Sequence, residues 1–482
     1  MDWIFKSLAR VYPNLFANVA NMALKMNERE AEPIVLQSTA GEGSLTMKYI
    51  KQAPAPDEDA DRSIREIAET MLAEIQNGGE AAALNYAKKL DGWTGDVVLA
   101  DNKLAALIDE VPTQVREDIQ FAYRQVKRFA EAQRDSLKEF EVETEPGVRL
   151  GQRVLPVQCA GCYVPGGRYA HIASAIMSIA TAKVAGVPFI VACSPPHEGS
   201  IHPSIAYAMD LAGADVILEM GGIQGVAALA YGLFTGKEAD IVVGPGNAYV
   251  AEAKRILFGQ VGIDVFAGPT ESAIIADESA DPMTIAVDLT SQAEHGPNSP
   301  VWLFTTSKDV GQRVAQIVPK VAADMPNEDL IMAAWRDFGE IVFCDDRNEV
   351  VKVSDRYAPE HLQVIAADLE WWKTNLNNYG SLFLGEGSTV THGDKCSGTN
   401  HILPTKRAGR YTGGLNVHKF MKVLTYQELD AEANAIFSAV GSRISRAEGM
   451  EGHARACDWR LRKYFPDVNW DFEVAKQRRY EE

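Results

Sequence analysis

The chain has 482 residues, 46% hydrophobic and 23% charged, the make-up of a globular protein long enough to bury more than one core. Its net charge of −19, from 47 basic and 66 acidic side chains, disfavours phosphate backbones and anionic lipid, so nucleic acid is not expected as a partner; a small anionic ligand needs only a local positive pocket. No stretch approaches eighteen apolar residues without a charge, so no membrane span is expected.

The first residues, MDWIFKSLARVYPNLFANVANMALKMNERE, mix basic and apolar positions without a clean apolar run or a small-residue cleavage site. They read either as a targeting segment or as a helix packed on a partner subunit. The Pro- and acid-rich run QAPAPDEDAD then reads as an exposed linker, so residues 1–61 are expected to be an extension.

From Ser63 to about Glu139 the periodicity is helical. IREIAETMLAEIQNGG has apolar residues three and four apart and closes on a glycine pair that suits a C-cap. VREDIQFAYRQVKRFAEAQRDSLKEF is long, free of proline and amphipathic, as for a helix covering a sheet or a partner.

After Gly147 short β-branched runs alternate with Ala-rich helical runs. IASAIMSIATAKVAGV leads into FIVACSPP, IHPSIAYAMDLAGA into DVILEMGG, and IQGVAALAYGLF into DIVVGPGN and AYVAEAKRILFG. The strands do not alternate in polarity, as expected of a parallel sheet covered on both faces. Each run ends in Gly, Pro or Ser, where open α/β sheets bind ligands. VWLFTT, EIVFCDD, HLQVIAADL and GSLFLG repeat the rhythm further on. The expected division is an α/β domain of residues 163–271 and another in which a helical segment, 62–162, is completed by 272–415. Residues 416–482 are expected to be a helical arm.

The six cysteines at 159, 162, 193, 344, 396 and 457 include a CxxC spacing but no second one, and read as reduced thiols of a cytoplasmic protein. GxGxxG is absent. Glycine turns at Gly166 and Gly167, Gly221 and Gly222, Gly244 to Gly246, and Gly268 would each let a ligand approach the backbone, and together hint at a dinucleotide; singly each is more often a tight turn. SQAEH sets Gln292 and His295 on one face of an expected helix, a possible zinc pair but more often a hydrogen-bonded pair. YAPEHLQV sets Glu360 and His361 at a loop-to-strand edge as two potential bases, or as a solvated turn. GDKCSGTNHILPT holds Asp394, Asn400 and His401 in an expected Gly-rich turn, and EGMEGHARA holds Glu448 and His453 on an expected helix. Either segment could supply a metal ligand or merely a cap and a solvated helix face.

Taken together, CYVPGGRYA, TAKVAGV, GGIQGVAALAYG, VGPGNAYVAEAKR, AGPTE, SQAEHGPNSP, YAPEHLQV and GDKCSGTNHILPT make the chain resemble the histidinol dehydrogenase family over roughly residues 62–460. The resemblance implies an α/β fold of two incomplete Rossmann-like units with parallel sheets, and a homodimer whose C-terminal arm carries residues into the partner's site. It implies zinc held by Gln292, His295, Asp394 and His453, bases at Glu360 and His361, and NAD contacted by Tyr163, Gln224 and Asn247. Thr270 stands where the family has a serine near the substrate, and Glu448 matches its substrate-contacting glutamate. The implied reaction is a four-electron oxidation of an alcohol through the aldehyde to the carboxylate.

Departures accompany the match. GGRYAHIASAIM has His171 and Ile172 where Tyr-Pro is usual, GGLNV replaces SGLSV, and the closing helix reads EGMEGHARACDWRLRKYFP. These variants resemble a sister subfamily that includes the sulfopropanediol 3-dehydrogenases, enzymes that oxidise 2,3-dihydroxypropane-1-sulfonate to 3-sulfolactate. Arg168, Tyr169, His171, Lys406, Arg407 and Arg410 are then the candidates for the anionic tail. The alternatives are oxidation of L-histidinol to L-histidine, and a non-catalytic homologue acting as a structural or regulatory dimer; retention of every ligand and both bases speaks against the latter.

Overall fold

The computed structural model describes residues 37–39, 47–54, 60–166, 169–197, 199–265 and 268–470. The expected N-terminal helix and Arg168 lie outside the described residues. Two mixed layers of helix and largely parallel sheet form the body, as the alternating runs predict.

The larger sheet has seven strands: β1 (Gln37–Thr39), β2 (Met47–Lys51), β10 (Ser272–Ala276), β11 (Val301–Thr305), β12 (Gly339–Phe343), β13 (His361–Ile365) and β14 (Ser381–Leu384), in the order β1-β2-β12-β11-β10-β13-β14. The strands from β10 to β14 are mutually parallel, and β2 runs antiparallel to β12. Part of the expected extension is therefore a sheet strand, with Tyr49 and Ile50 buried on opposite faces.

The smaller parallel sheet has five strands: β5 (Cys159–Tyr163), β6 (Phe189–Ser194), β7 (Val216–Glu219), β8 (Ile241–Val243) and β9 (Gly262–Ile263), in the order β7-β6-β5-β8-β9. The chain steps outward from β5 on one side, then restarts from β8 on the other, so the strand order reverses beside β5. Cys162 packs in the core on one face of this sheet and Cys159 in the core on the other. Three residues apart on a strand, the two thiols point to opposite sides, and both are free.

The helical segment expected to join 272–415 instead covers the five-stranded sheet. Helix Ala60–Tyr86 buries Ala68, Met71, Leu72 and Ile75 against Ile223, Val226 and Val250, and helix Thr113–Asp135 buries Ile119, Ala122 and Val126 in the core of the other face. Their apolar stripes match the nearly all-apolar helices lying on that sheet. The glycine pair ends the first length of this helix as expected: Gly79, at φ 59° and ψ −144°, is non-helical, and a second helical length follows at once.

The sequence pattern missed a third sheet. β3 (Phe140–Glu145), β4 (Val148–Pro156) and β15 (Met421–Leu429) form an antiparallel ribbon in the order β15-β4-β3. The arm thus begins with a strand before helices Ala431–Ala447 and Glu451–Tyr464, which pack on one another. Their outer faces leave Ile436, Phe437, Ile444, Met450 and Trp459 exposed. Among the described residues no helix is long and apolar enough to cross a membrane.

Candidate functional site

Glu360 ends the loop before β13 and His361 is the strand's first residue, so both stand at the amino ends of the seven-stranded sheet. Open parallel sheets ordinarily place ligands at the opposite, carboxyl ends. Both side chains are buried. The main chain of Glu271, one residue before β10, holds them in place. Its N–H donates to Glu360 Oε2 at 2.9 Å, and its carbonyl accepts from the His361 N–H at 3.1 Å and lies 3.1 Å from His361 Nδ1. With Nδ1 spent on that carbonyl, Nε2 is the ring atom left to exchange a proton; it has no hydrogen-bond partner and faces Asp394 Oδ1 at 3.3 Å.

Burial pushes the Glu360 carboxyl well above its usual range. Burial alone would lower His361, but the carboxylates of Glu360 and Asp394 outweigh it and raise the imidazole. Burial would raise Asp394, yet the imidazole beside it holds that carboxyl far below its usual range. The three groups form one buried proton-sharing unit, the setting in which acid–base residues are tuned.

Asp394 lies in a six-residue helix, Val390–Lys395, and not in the expected turn. Its carbonyl accepts from His401 Nδ1 at 3.0 Å, and His401 Nε2 meets Ser174 Oγ at 2.8 Å. Helix Pro282–Ala293 carries Gln292 and ends before His295, which follows in a turn and whose N–H donates to the Gln292 carbonyl at 3.3 Å. Gln292 is buried with Oε1 lacking any partner, which leaves an acceptor free for a cation. His295 is an exposed residue, yet the protein packed around it lowers its pKa, with the charge of Asp394 opposing that shift. An amide oxygen, a neutral imidazole and a dissociated carboxylate make a donor set that suits zinc.

His453 does not join them. Among the described residues no three His, Cys, Asp or Glu side chains come together as a metal cluster. His453 is exposed in the first turn of helix Glu451–Tyr464, while Glu448 is the exposed residue that caps the C-terminal end of the preceding helix, Ala431–Ala447. The expected single helix bearing both is two helices joined at a turn.

Tyr163, Gln224 and Asn247 converge instead at the carboxyl ends of the five-stranded sheet. Tyr163 closes β5 and its hydroxyl accepts from Gly222 N–H at 3.1 Å. Gln224 is buried on the first turn after β7, with Oε1 unpartnered. Asn247 caps helix Ala248–Leu257 through Oδ1 and is otherwise exposed. The turn before it needs glycine: Gly244 sits at φ 121°, and a Cβ there would lie 1.9 Å from the Tyr163 carbonyl oxygen.

Thr270 is half-buried next to Glu271. Tyr169 donates to the Glu294 carbonyl at 3.4 Å, beside His295, and His171 is half-buried at the start of helix Ile172–Ala185. Lys406, Arg407 and Arg410 are exposed. Lys406 and Arg407 have left-handed backbones, φ 50° and 65°, uncommon for two successive non-glycine residues. Glu271 Oε1 accepts from the Lys406 N–H at 2.8 Å and so pins this turn. Sequence reasoning overlooked Glu271, although the AGPTE motif contains it; burial pushes its carboxyl up to about 7.

Two α/β sheets, with a buried acid–base centre at the amino ends of the larger one, define the class of this protein. The family model for histidinol dehydrogenase matches residues 55–461, and the chain belongs to the histidinol dehydrogenase family, a family of oxidoreductases. It is 52% identical over 430 residues to the sulfopropanediol 3-dehydrogenase of Ruegeria pomeroyi, covering 89% of this chain and 99% of that one. A histidinol dehydrogenase homolog of the same organism is 54% identical over 431 residues, covering 88% and 99%. The crystal structure of histidinol dehydrogenase from Elizabethkingia anophelis superposes with a TM-score of 0.80 at 32% identity, covering 86% of this chain and 94% of that one.

Proposed function

We propose that the chain is a zinc- and NAD-dependent dehydrogenase that oxidises a small polar primary alcohol through the aldehyde to the carboxylate, taking 2,3-dihydroxypropane-1-sulfonate to 3-sulfolactate. The observation that carries the chemistry is the buried Glu360–His361–Asp394 unit, with His361 Nε2 left as the ring atom that exchanges a proton. Gln292, His295 and Asp394 would hold zinc, completed by His453 of a second copy, and Tyr163, Gln224 and Asn247 would contact NAD. When bound, zinc supplies a Lewis acid that orients the substrate oxygen and NAD accepts the hydride.

The chain's own residues handle protons and position. His361 Nε2 takes the hydroxyl proton as hydride leaves the carbinol carbon; Glu271 O keeps the ring from rotating away. Glu360, with a raised pKa, takes a proton from the water that adds to the aldehyde, giving the hydrate. Loss of the second hydride then yields the carboxylate. The balance is one alcohol, one water and two NAD giving one carboxylate, two NADH and three protons. Glu448, from the partner's arm, and Thr270 would contact the substrate.

The choice of a sulfonate rests on the 52% identical relative and on the strained turn at Lys406 and Arg407, which sets two exposed cations next to Glu271. Arginine suits tetrahedral oxyanions through its fork of donors. The test is kcat/KM for dihydroxypropanesulfonate and L-histidinol, with saturating NAD, on one zinc-loaded preparation. A clear preference for the sulfonate is expected; a preference for histidinol would reject the substrate and leave the acid–base assignment standing.

A further inference from the structure

Beside Gln224 lies an open hollow of about 370 Å³ lined by Asp91, Gly92, Trp93, Thr94, Gly95, Pro196 and Gly199. It lies beyond the carboxyl end of β6, the second strand outward in its sheet. Where dinucleotides bind such sheets, that position receives the adenosine ribose, and a carboxylate there accepts the ribose hydroxyls. The residues that end β6 and begin its loop, Ser194, Pro195 and Pro196, carry no acid, and Glu198 of that loop lies outside the described residues. Asp91 brings one from a different segment, anchored by Gln224 Nε2, which donates to Asp91 Oδ2 at 2.7 Å. The pocket wall also holds an unmet donor, Trp93 Nε1, buried without a partner.

The neighbouring cation is already engaged. Lys103 pairs with the buried Glu219 at 2.7 Å, reaches the Gly199 carbonyl at 3.3 Å, and lies 5.1 Å from the centre of the Trp93 ring. A second phosphate on the ribose would meet the Asp91 carboxylate with that cation neutralised by Glu219.

From these observations we propose that the hollow takes the adenosine end of the dinucleotide and that Asp91 is the residue that selects NAD over NADP. The inference rests on the NAD reading above and assigns to Asp91 a role that reading does not contain. Asp91 accepts the two ribose hydroxyls through its free oxygen, held at the right height by Gln224, and repels a 2′-phosphate.

The test is direct binding of NADH and NADPH to the purified full chain by fluorescence titration, without alcohol. The wild type should bind NADH at least about tenfold more tightly than NADPH, a difference in binding free energy that one lost charged contact readily supplies. Asp91→Asn should shrink that ratio about tenfold, mostly by weakening NADH, and Asp91→Glu should restore part of it. Thr94→Arg, at an exposed position of the same wall, should tighten NADPH without harm to folding, and it serves if the Asp91 variants are unstable. An unchanged NADH to NADPH ratio in both the Asn and the Arg variants overturns the assignment of Asp91 while leaving NAD use intact. Failure of the wild type to bind either nucleotide overturns the NAD reading and this inference with it.

Discussion

The turn that presents Asn247 depends on a buried ion pair. Lys254, on helix Ala248–Leu257, and Asp264, just beyond β9, are each 2% exposed and pair with one another. Lys254 Nζ also donates to the Gly244 carbonyl at 2.7 Å, and Asp264 Oδ2 accepts from the Gly244 N–H at 2.6 Å, so the pair clamps both polar groups of the one glycine that makes the turn. Lys254→Met keeps the length and removes the ammonium. The variant strands Asp264, which keeps two backbone N–H donors, from Gly244 and Val265, but no counter-charge. Breaking a buried pair from one side costs about 3–5 kcal/mol. At about 2–4 °C per kcal/mol for a unit of this size, the melting midpoint should fall by roughly 6–20 °C. The double variant Lys254→Met with Asp264→Asn strands no charge and should recover part of that loss, because an amide can still accept an N–H. Midpoints from tryptophan fluorescence in thermal scans measure both, and NADH titration of Lys254→Met should show weaker binding as the Gly244 turn relaxes. A loss below about 1 kcal/mol, or a double variant no better than the single one, would refute the argument, since the cost would then not come from an uncompensated charge.

His295→Ala should leave the purified protein substoichiometric in zinc, as read by metal analysis, with Gln292→Ala showing a smaller deficit; full occupancy with normal activity in the His295 variant would remove these residues from the metal site. His361→Gln should slow alcohol oxidation, and Glu360→Gln should slow oxidation of added aldehyde more, each by about 10²–10⁴-fold in single-turnover rates, whereas equal effects on both half-reactions would erase the division of labour. Mixing inactive His361→Gln and His453→Ala proteins should restore part of the activity after subunit exchange, because one mixed site then holds both histidines; none would return if each site were built from one chain.

Much of the body is legible in the sequence because its strands are buried on both faces, and uninterrupted apolar runs such as FIVACS and DIVV have few other uses. The ribbon of β3, β4 and β15 is not legible for the opposite reason. β3 is exposed throughout, and β4 pairs with a strand far along the chain, Val148 against Leu429, which no local pattern records. Which sheet the helical segment covers is not legible, because its stripe of Ala68, Met71, Leu72 and Ile75 states only that it covers something apolar. At the candidate site the motif residues were legible and their supports were not. Glu271 acts through its main chain on Glu360 and His361, ninety residues away, and Asp91 reaches Gln224 across 133. The first contact is made by the main chain and is indifferent to the side chain at 271, and the second joins two side chains far apart in the chain, so local composition and spacing carry no trace of either.

The opposed polarity of the two sheets matters most for the proposed chemistry. The bases stand at the amino ends of β10 and β13, and Tyr163, Gln224 and Asn247 stand at the carboxyl ends of β5, β7 and β8. Three hydrogen bonds tie these ends together. Tyr169, just past β5, reaches the Glu294 carbonyl; Ser174 meets His401, whose Nδ1 donates to the Asp394 carbonyl; and Asn400 donates to the Met177 carbonyl at 3.0 Å. The ligand end of one sheet is therefore docked onto the amino end of the other. Hydride transfer needs donor carbon and acceptor ring about 3–3.5 Å apart, a tolerance that loops hanging free from two separate sheets would not keep. On the proposed function, the same helix that follows the cofactor strand, Ile172–Ala185, also braces the Asp394 helix through His401, so the metal ligand and the cofactor ledge move as one piece. Such bracing places the reacting carbon by the packing of two cores, and leaves His361 and Glu360 the tasks of taking protons.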